Sequence, residues 1–374
     1  MAGVYLHIPF CRQACHYCDF HFSTSRQKVD DMVAAIVKEI ELRKEFLKDR
    51  SLSTVYFGGG TPSLLTVTQL NTLLLELSRH FTFLENAEIT LEANPDDISA
   101  ATLKEWKSAG INRLSIGVQS FSDEDLRFMN RAHSAAEAVA AIRLAREMDF
   151  RNLTIDLIYG TPTMNDEMWQ NNLAMLKEFD LPHFSSYALT VEPRTALAQF
   201  VRNRIVAMPE EEQAAAQFHQ LMQWARENGY EHYEISNFAK PGRYSRHNTA
   251  YWQGEHYLGI GPSAHSFNGQ ERSWNIRNNP EYIRAITTDE IPTEKESLTV
   301  EQRYNEYVMT ALRTQWGIQR DVVGEKFGED ALSHLEEQLL RVKSNSWIAD
   351  NGTQILLTDA GKLFADHIAS ELFR

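Results

Sequence analysis

Cys11-Arg12-Gln13-Ala14-Cys15-His16-Tyr17-Cys18 carries all three cysteines of the chain. It follows the apolar run Val4-Tyr5-Leu6-His7-Ile8 and the break at Pro9. An odd number of cysteines makes no closed disulfide framework, and the chain opens without a secretory signal. Three thiolates at C-x3-C-x2-C can instead wrap one corner of a metal centre. Structural zinc needs four protein ligands, and His7, His16 or His21 could complete a Cys3His site. The other candidate is a [4Fe–4S] cluster, with three irons held by thiolates and the fourth open to an outside ligand. The spacing favours iron–sulfur and leaves zinc open.

A chain of 374 residues has room for one large domain and a small one. A hydrophobic fraction of 43% reads as globular, and no apolar run reaches the length of a membrane span. The first strand-like segment begins almost at once, leaving no room for a targeting peptide; with reduced cysteines, this predicts a cytoplasmic protein. The net charge is −14, from 37 basic and 51 acidic side chains. That balance argues against a nucleic-acid partner, whose phosphates demand cations. The acidity reads as solubility.

Outward from the cysteines, short β-rich runs alternate with amphipathic stretches. Strands are expected at 4–8, 54–57, 88–92, 113–118, 153–158 and 184–188. Helices are expected near 29–48, 66–80, 99–109, 134–147 and 166–178. Such alternation means βα units on a parallel sheet. Six units are too few to close an eight-stranded barrel, so the expectation is a partial (β/α)6 barrel of the α/β class. Chemistry in such barrels sits at the C-terminal strand ends.

Unusual residues fall at those ends. After the second strand stands Gly58-Gly59-Gly60-Thr61-Pro62-Ser63, whose backbone can approach a ligand closely. It lacks the Lys-Ser/Thr of a phosphate loop and the spacing of a dinucleotide fingerprint. Glu92, in Leu91-Glu92-Ala93-Asn94-Pro95, offers a carboxylate suited to a ribose diol or an amino group. Gln119 ends the fourth strand, Arg131 follows as a potential fork for a carboxylate, and Asp156 sits on the fifth. Alone, each is more often structural. Together, on successive strand ends beside a cysteine triad, they read as one site.

Residues 4–190 resemble the radical S-adenosylmethionine (radical SAM) superfamily, in its coproporphyrinogen III dehydrogenase branch. The resemblance implies that Cys11, Cys15 and Cys18 hold a [4Fe–4S] cluster. It further implies that Tyr5, Tyr17, Gly59, Gly60, Thr61, Glu92, Gln119, Arg131 and Asp156 contact SAM. Ala188, in Ser186-Tyr187-Ala188, matches a further contact in looser register. The coproporphyrinogen enzymes carry a fourth cysteine two residues after the third and a longer N-terminal arm. Here Phe20 takes that place and the first strand opens the chain. Both departures resemble the HemW family of haem chaperones.

A second constellation supports that branch. His247-Asn248-Thr249-Ala250-Tyr251-Trp252 offers iron an axial nitrogen and a porphyrin flat apolar walls. It also matches the His-Asn-x-x-Tyr-Trp pattern of the haem chaperones. His265 is a rival ligand. The function implied is a chaperone that binds haem, a [4Fe–4S] cluster and SAM. It would deliver haem to acceptors such as respiratory haemoproteins, with peripheral contact to membrane haemoproteins. Coproporphyrinogen turnover is not expected, while SAM cleavage stays open. The alternative is oxygen-independent coproporphyrinogen III dehydrogenase, a radical decarboxylase of haem biosynthesis.

The domains expected are a barrel over 1–230, a barrel extension with the His247 constellation over 231–296, and a winged-helix-like helical domain over 297–374. In the last, Thr299 and Gln302 form a capping box, and Asn351-Gly352 reads as a hairpin turn. Acidic side chains outnumber basic ones there. A lid over the barrel mouth therefore fits better than a DNA-binding wing.

Overall fold

The computed structural model describes residues 2–208, 210–342 and 346–374. Six βα units open the chain on β1 (Ala2–Ile8), β2 (Ser51–Gly59), β3 (Thr82–Ala93), β4 (Arg113–Gln119), β5 (Asn152–Tyr159) and β6 (His183–Ala188). Each of these strands pairs in parallel with the next. β7 (Glu231–Glu234) and β8 (Asn237–Ala239) close the β6 edge antiparallel. β9 (His256–Ile260) adds a seventh parallel strand, beside β1. β10 (His265–Phe267), β11 (Glu271–Asn275) and β12 (Thr293–Ser297) continue outward antiparallel. The result is an open sheet, β12-β11-β10-β9-β1-β2-β3-β4-β5-β6-β8-β7. The partial barrel expected from the alternation is the observed one, extended at both edges by residues 231–297.

Alternation within the strands divides two environments. Val4, Leu6 and Ile8 of β1 face the helices and are fully buried in the main core. Tyr5 and His7, between them, point into the barrel, since successive side chains on a strand face opposite ways. The surrounding helices start where the sequence supplies caps. Thr66 with Gln69, Ser99 with Thr102 and Ser134 with Glu137 each form a reciprocal capping box.

One buried ionic network fastens the 256–287 segment onto the barrel. Glu39, on helix Val29–Leu42, has no exposed surface. It accepts from the Tyr282 hydroxyl at 2.5 Å, the Asn275 amide at 2.7 Å and the Gly261 N–H at 2.8 Å. Arg43, 3.4 Å away, also reaches the Gly259 carbonyl. These donors come from β11, helix Asn279–Thr287 and the loop after β9, so one carboxylate ties three pieces to helix Val29–Leu42.

A second core forms around Tyr304, Val308, Leu335, Leu339, Ile355 and Ile368. It packs on a small sheet of β13 (Ile318–Gln319), β14 (Ile348–Asp350) and β15 (Gln354–Leu357). The Thr299–Gln302 capping box and the turn between β14 and β15 are where the sequence put them. The lid expectation is corrected. Helix Val300–Leu312 runs from one edge of the open sheet to the other: Glu306 pairs with Arg272 of β11, and Arg313 lies 3.8 Å from Glu234 of β7. The domain therefore bridges the open side of the barrel. Among the described residues, none from 297–374 lines the barrel cavity. No described helix is long and apolar enough to cross a membrane.

Replacing Glu39 by Ala leaves Arg43 and three donors buried without their acceptor. The expected loss is about 3 kcal/mol in urea-induced unfolding. A loss below about 1 kcal/mol would mean the network does not hold the extension.

Candidate cofactor site at the barrel mouth

The cysteine loop and the glycine loop are a single construction, because β1 and β2 are neighbours and each runs into one of them. Gly60 N–H donates to the Ile8 carbonyl at 2.9 Å and Thr61 N–H to the Phe10 carbonyl at 2.7 Å. A Cβ on Gly60 would stand 2.6 Å from the Phe10 oxygen, so only glycine lets the loops meet. A Cβ on Gly58 would stand 2.9 Å from the Tyr5 and Tyr56 rings and 3.1 Å from a Glu92 oxygen.

These loops cap a cavity of about 660 Å³ that descends into the barrel. Its upper wall holds Cys11, Cys15, Tyr17 and Cys18 opposite Gly59, Gly60 and Thr61. Its middle holds Glu92, Gln119, Arg131, Asp156 and Ala188. The structure thus brings together every SAM position expected from the sequence except Tyr5. Tyr5 lies one layer beneath Gly58, its hydroxyl 3.2 Å from His7 Nδ1.

Electrostatics differ from layer to layer. Burial pushes the Cys11 thiol up to about 11 and Cys18 up to about 12, with neighbouring cysteines adding like charge. Such thiols ionise when a metal supplies the countercharge. Burial also pushes Glu92 up to about 7, the Asp156 charge adding to it while the Tyr56 hydroxyl, donating at 2.8 Å, holds it back. Asp156 is pushed up to about 6 by burial, against hydrogen bonding from Ser185 and the charge of Arg113. Gln119 adopts φ 69°, a left-handed conformation costly for a side-chain-bearing residue, and so turns its amide over the cavity.

Arg131 is revised in detail. Its Nη1 donates to Cys15 Sγ at 3.3 Å, and its Nη2 to Asn94 Oδ1 at 2.6 Å and the Gly117 carbonyl at 2.8 Å. Its open donor is Nε, buried without a partner among the described residues. Rather than a free fork, Arg131 is a cation held against the Cys15 thiol.

The histidines answer the zinc alternative. His7 Nε2 contacts the His21 carbonyl at 2.9 Å, His16 Nδ1 the Phe128 carbonyl at 2.8 Å, and His21 Nε2 the Asn279 amide oxygen at 2.7 Å. His7 is engaged at both ring nitrogens, and among the described residues no three His, Cys, Asp or Glu side chains are grouped so as to hold a single ion. Three thiols on one loop, facing a side-chain-free backbone and an unpartnered Arg131 Nε, fit a cluster that spreads its ligands over three irons. Cys11, Cys15 and Cys18 would hold it, and when bound the cluster would supply an open iron to anchor SAM and, once reduced, an electron.

His247 is not flanked by Tyr251 and Trp252 as the sequence reading supposed. Its ring lies inside the barrel, 5.0 Å from the Tyr56 ring centroid and 6.4 Å from that of Tyr5, with Nδ1 2.8 Å from Thr54 Oγ1. Tyr251 and Trp252 meet edge to face at 5.3 Å, and Tyr251 is 45% exposed. His265 lies on the exposed face of β10, its ring 6.1 Å from Trp274.

The sequence reading missed Tyr56, Arg113, Ser115, Thr154 and Ser185, and placed Asn248 in the haem constellation; all six lie in the cavity wall. A strand period of two was the available signal: Tyr56 precedes Gly58, Ser115 precedes Gly117, and Thr154 precedes Asp156 by two residues.

An open parallel sheet, a cysteine triad and a glycine loop over buried carboxylates define a radical SAM partial barrel. Residues 5–176 match the radical SAM superfamily and residues 298–364 the HemN C-terminal domain. The chain is 33% identical to the haem chaperone HemW of Bacillus subtilis, over 98% of both chains. It is 34% identical to that of Mycobacterium tuberculosis H37Rv, over 99% of this chain and 94% of the relative. Among solved structures, the coproporphyrinogen III oxidase HemN of Escherichia coli superposes with a TM-score of 0.86 at 25% identity, covering 100% of this chain and 90% of that one. The chain belongs to the HemW family of the radical SAM superfamily.

Two outcomes follow from this geometry. Changing Cys11, Cys15 or Cys18 to Ala should abolish the visible absorbance and most of the iron of anaerobically reconstituted protein; stoichiometric zinc in place of iron would contradict the cluster. The second concerns pH. A carboxyl raised in the fold keeps its proton longer than in the unfolded chain, so its stabilising contribution is full below about 4.5 and is lost as pH rises through about 7. In cofactor-free protein, Glu92→Gln should therefore gain stability over the parent progressively across that interval. A difference independent of pH would show that Glu92 is not raised.

Proposed function

We propose that this chain is a cytoplasmic haem chaperone that carries a [4Fe–4S] cluster and SAM and hands haem to acceptor proteins, respiratory haemoproteins among them. The observation that carries this reading is the match to proteins named haem chaperones across 98% of both chains. The oxidase is less similar in sequence, at 25% identity. Phe20 supports it too. In the place where the coproporphyrinogen enzymes have a fourth cysteine, this chain presents a phenyl ring, 69% exposed, in the cavity wall. That substitution removes a thiol from the cavity without touching the three cluster ligands.

In this reading Cys11, Cys15 and Cys18 hold the cluster. Tyr17, Gly59, Gly60, Thr61, Glu92, Gln119, Arg131 and Asp156 surround SAM, and Tyr5 supports the glycine loop from below. Haem docks outside the barrel, on the aromatic face where Tyr251 contacts Trp252 and Tyr257. Porphyrins suit such a face, which offers flat apolar walls. His247 and His265 remain the two imidazoles proposed for the iron, and exposure favours His265.

Haem titration under anaerobic conditions should give a Soret band at one equivalent, and coproporphyrinogen with SAM and reductant should stay unconverted. Conversion to protoporphyrinogen at an enzyme-like rate would refute the chaperone reading. His265→Ala should shift the Soret band more than His247→Ala does, and the reverse order would return the iron ligand to His247.

A further inference from the structure

His247 occupies a place that haem ligation does not explain. Helix Arg246–Trp252 is drawn beneath β3 because Glu88 Oε1 accepts from the backbone N–H groups of Arg246 at 3.0 Å and His247 at 3.3 Å. That docking turns the His247 imidazole inward, beneath the cavity, and the next residue, Asn248, lines the cavity itself. Room for the ring comes from Gly3, where a Cβ would stand 3.4 Å from two His247 ring atoms and 2.6 Å from Thr54 Oγ1.

Above the imidazole runs a column built on alternate residues of β2. Thr54, Tyr56 and Gly58 all point inward, and at the usual rise the column is about 13 Å long. Thr54 fixes the imidazole through Nδ1 at 2.8 Å. The imidazole meets the Tyr56 ring at 5.0 Å with 29° between the planes. The Tyr56 hydroxyl then donates to Glu92 Oε1 at 2.8 Å. Glu92 and Tyr56 together sit directly under Gly58, where any side chain would strike them. Each member leaves the next little choice of position.

We infer that His247 is a positioning residue for SAM, holding Tyr56 in place and through it the Glu92 carboxylate that faces the cofactor. This rests on the reading of Glu92 as a SAM contact. Burial and the nearby Arg113 lower His247 to about 4, so at neutral pH the ring acts as a flat uncharged surface and not as a cation. A filler of the barrel floor would answer only to volume. A column that ends on a hydrogen-bonded carboxylate answers to ring shape at 247 and to one oxygen at 56.

The test is SAM affinity, by anaerobic calorimetry on cluster-loaded full-length protein of equal iron content. His247→Ala and Tyr56→Phe should each weaken SAM binding about tenfold, the scale of a lost hydrogen bond to a charged group. The double variant should lose little more than either single one, because both act through Glu92. His247→Phe restores a ring over Tyr56 and should recover most of the affinity. Should His247→Ala fail to fold, Tyr56→Phe removes a single oxygen and carries the test alone. Glu92→Gln, measured in parallel, separates two kinds of failure. Parent-like affinity in Glu92→Gln would overturn the SAM reading of Glu92 and this inference with it. Weak binding in Glu92→Gln, with parent-like binding in both His247→Ala and Tyr56→Phe, would overturn the inference alone.

Discussion

Two backbone hydrogen bonds, from Gly60 N–H to Ile8 and from Thr61 N–H to Phe10, hold the cysteine loop against the glycine loop. Everything at the barrel mouth depends on that contact. It requires β1 and β2 to be parallel neighbours of matched register, Leu6 opposite Phe57 and Ile8 opposite Gly59. It also requires a residue without a side chain at position 60. The three cysteines thereby inherit the rigidity of the sheet, while the backbone facing them stays bare. Arg131 extends the construction to β4 by touching Cys15 and the Gly117 carbonyl with the same guanidinium.

Below the mouth, the barrel interior is polar where most cores are apolar. Glu88, Arg113, Thr154, His183 and Ser185 are all buried around its axis. Such groups cost stability unless hydrogen-bonded or paired, and several are only loosely satisfied: Arg113 lies 3.9 Å from Glu88, and Thr90 Oγ1 has no partner among the described residues. Carboxylates raised towards neutrality by burial, lining a cavity, are what a binding site needs and a purely structural core avoids. The stability to tolerate them comes from the apolar outer face of the same strands and from the Glu39 network that braces the sheet extension.

Much of this was legible in the sequence. The strand–helix alternation gave the partial barrel, and the cysteine spacing with the glycine run located the mouth. Glu92, Gln119 and Asp156 were readable because strand ends in such barrels carry chemistry. Three things were hidden, each for a physical reason. Arg131 looked like a free fork because sequence does not show that Asn94, Gly117 and Cys15 compete for its donors. The C-terminal domain looked like a lid because its docking rests on contacts between residues far apart in sequence, among them Arg272 with Glu306, the Ile235 N–H with the Arg313 carbonyl, and Arg226 with Asp359. His247 looked like a partner of Tyr251 and Trp252 because they are near in sequence. The direction of its ring is set by Glu88, Thr54 and Tyr56, all more than a hundred residues away.

The central claim is that one cavity holds both the cluster and SAM, with the open iron facing the amino-acid end of the cofactor. Electron–nuclear double resonance on the reduced cluster, with SAM labelled by 17O in its carboxylate, tests it most directly. The account predicts a strong 17O coupling to the cluster in the parent protein, because three thiolates leave one iron for that carboxylate. A reduced cluster whose spectrum shows no coupling to the label under saturating SAM would contradict it.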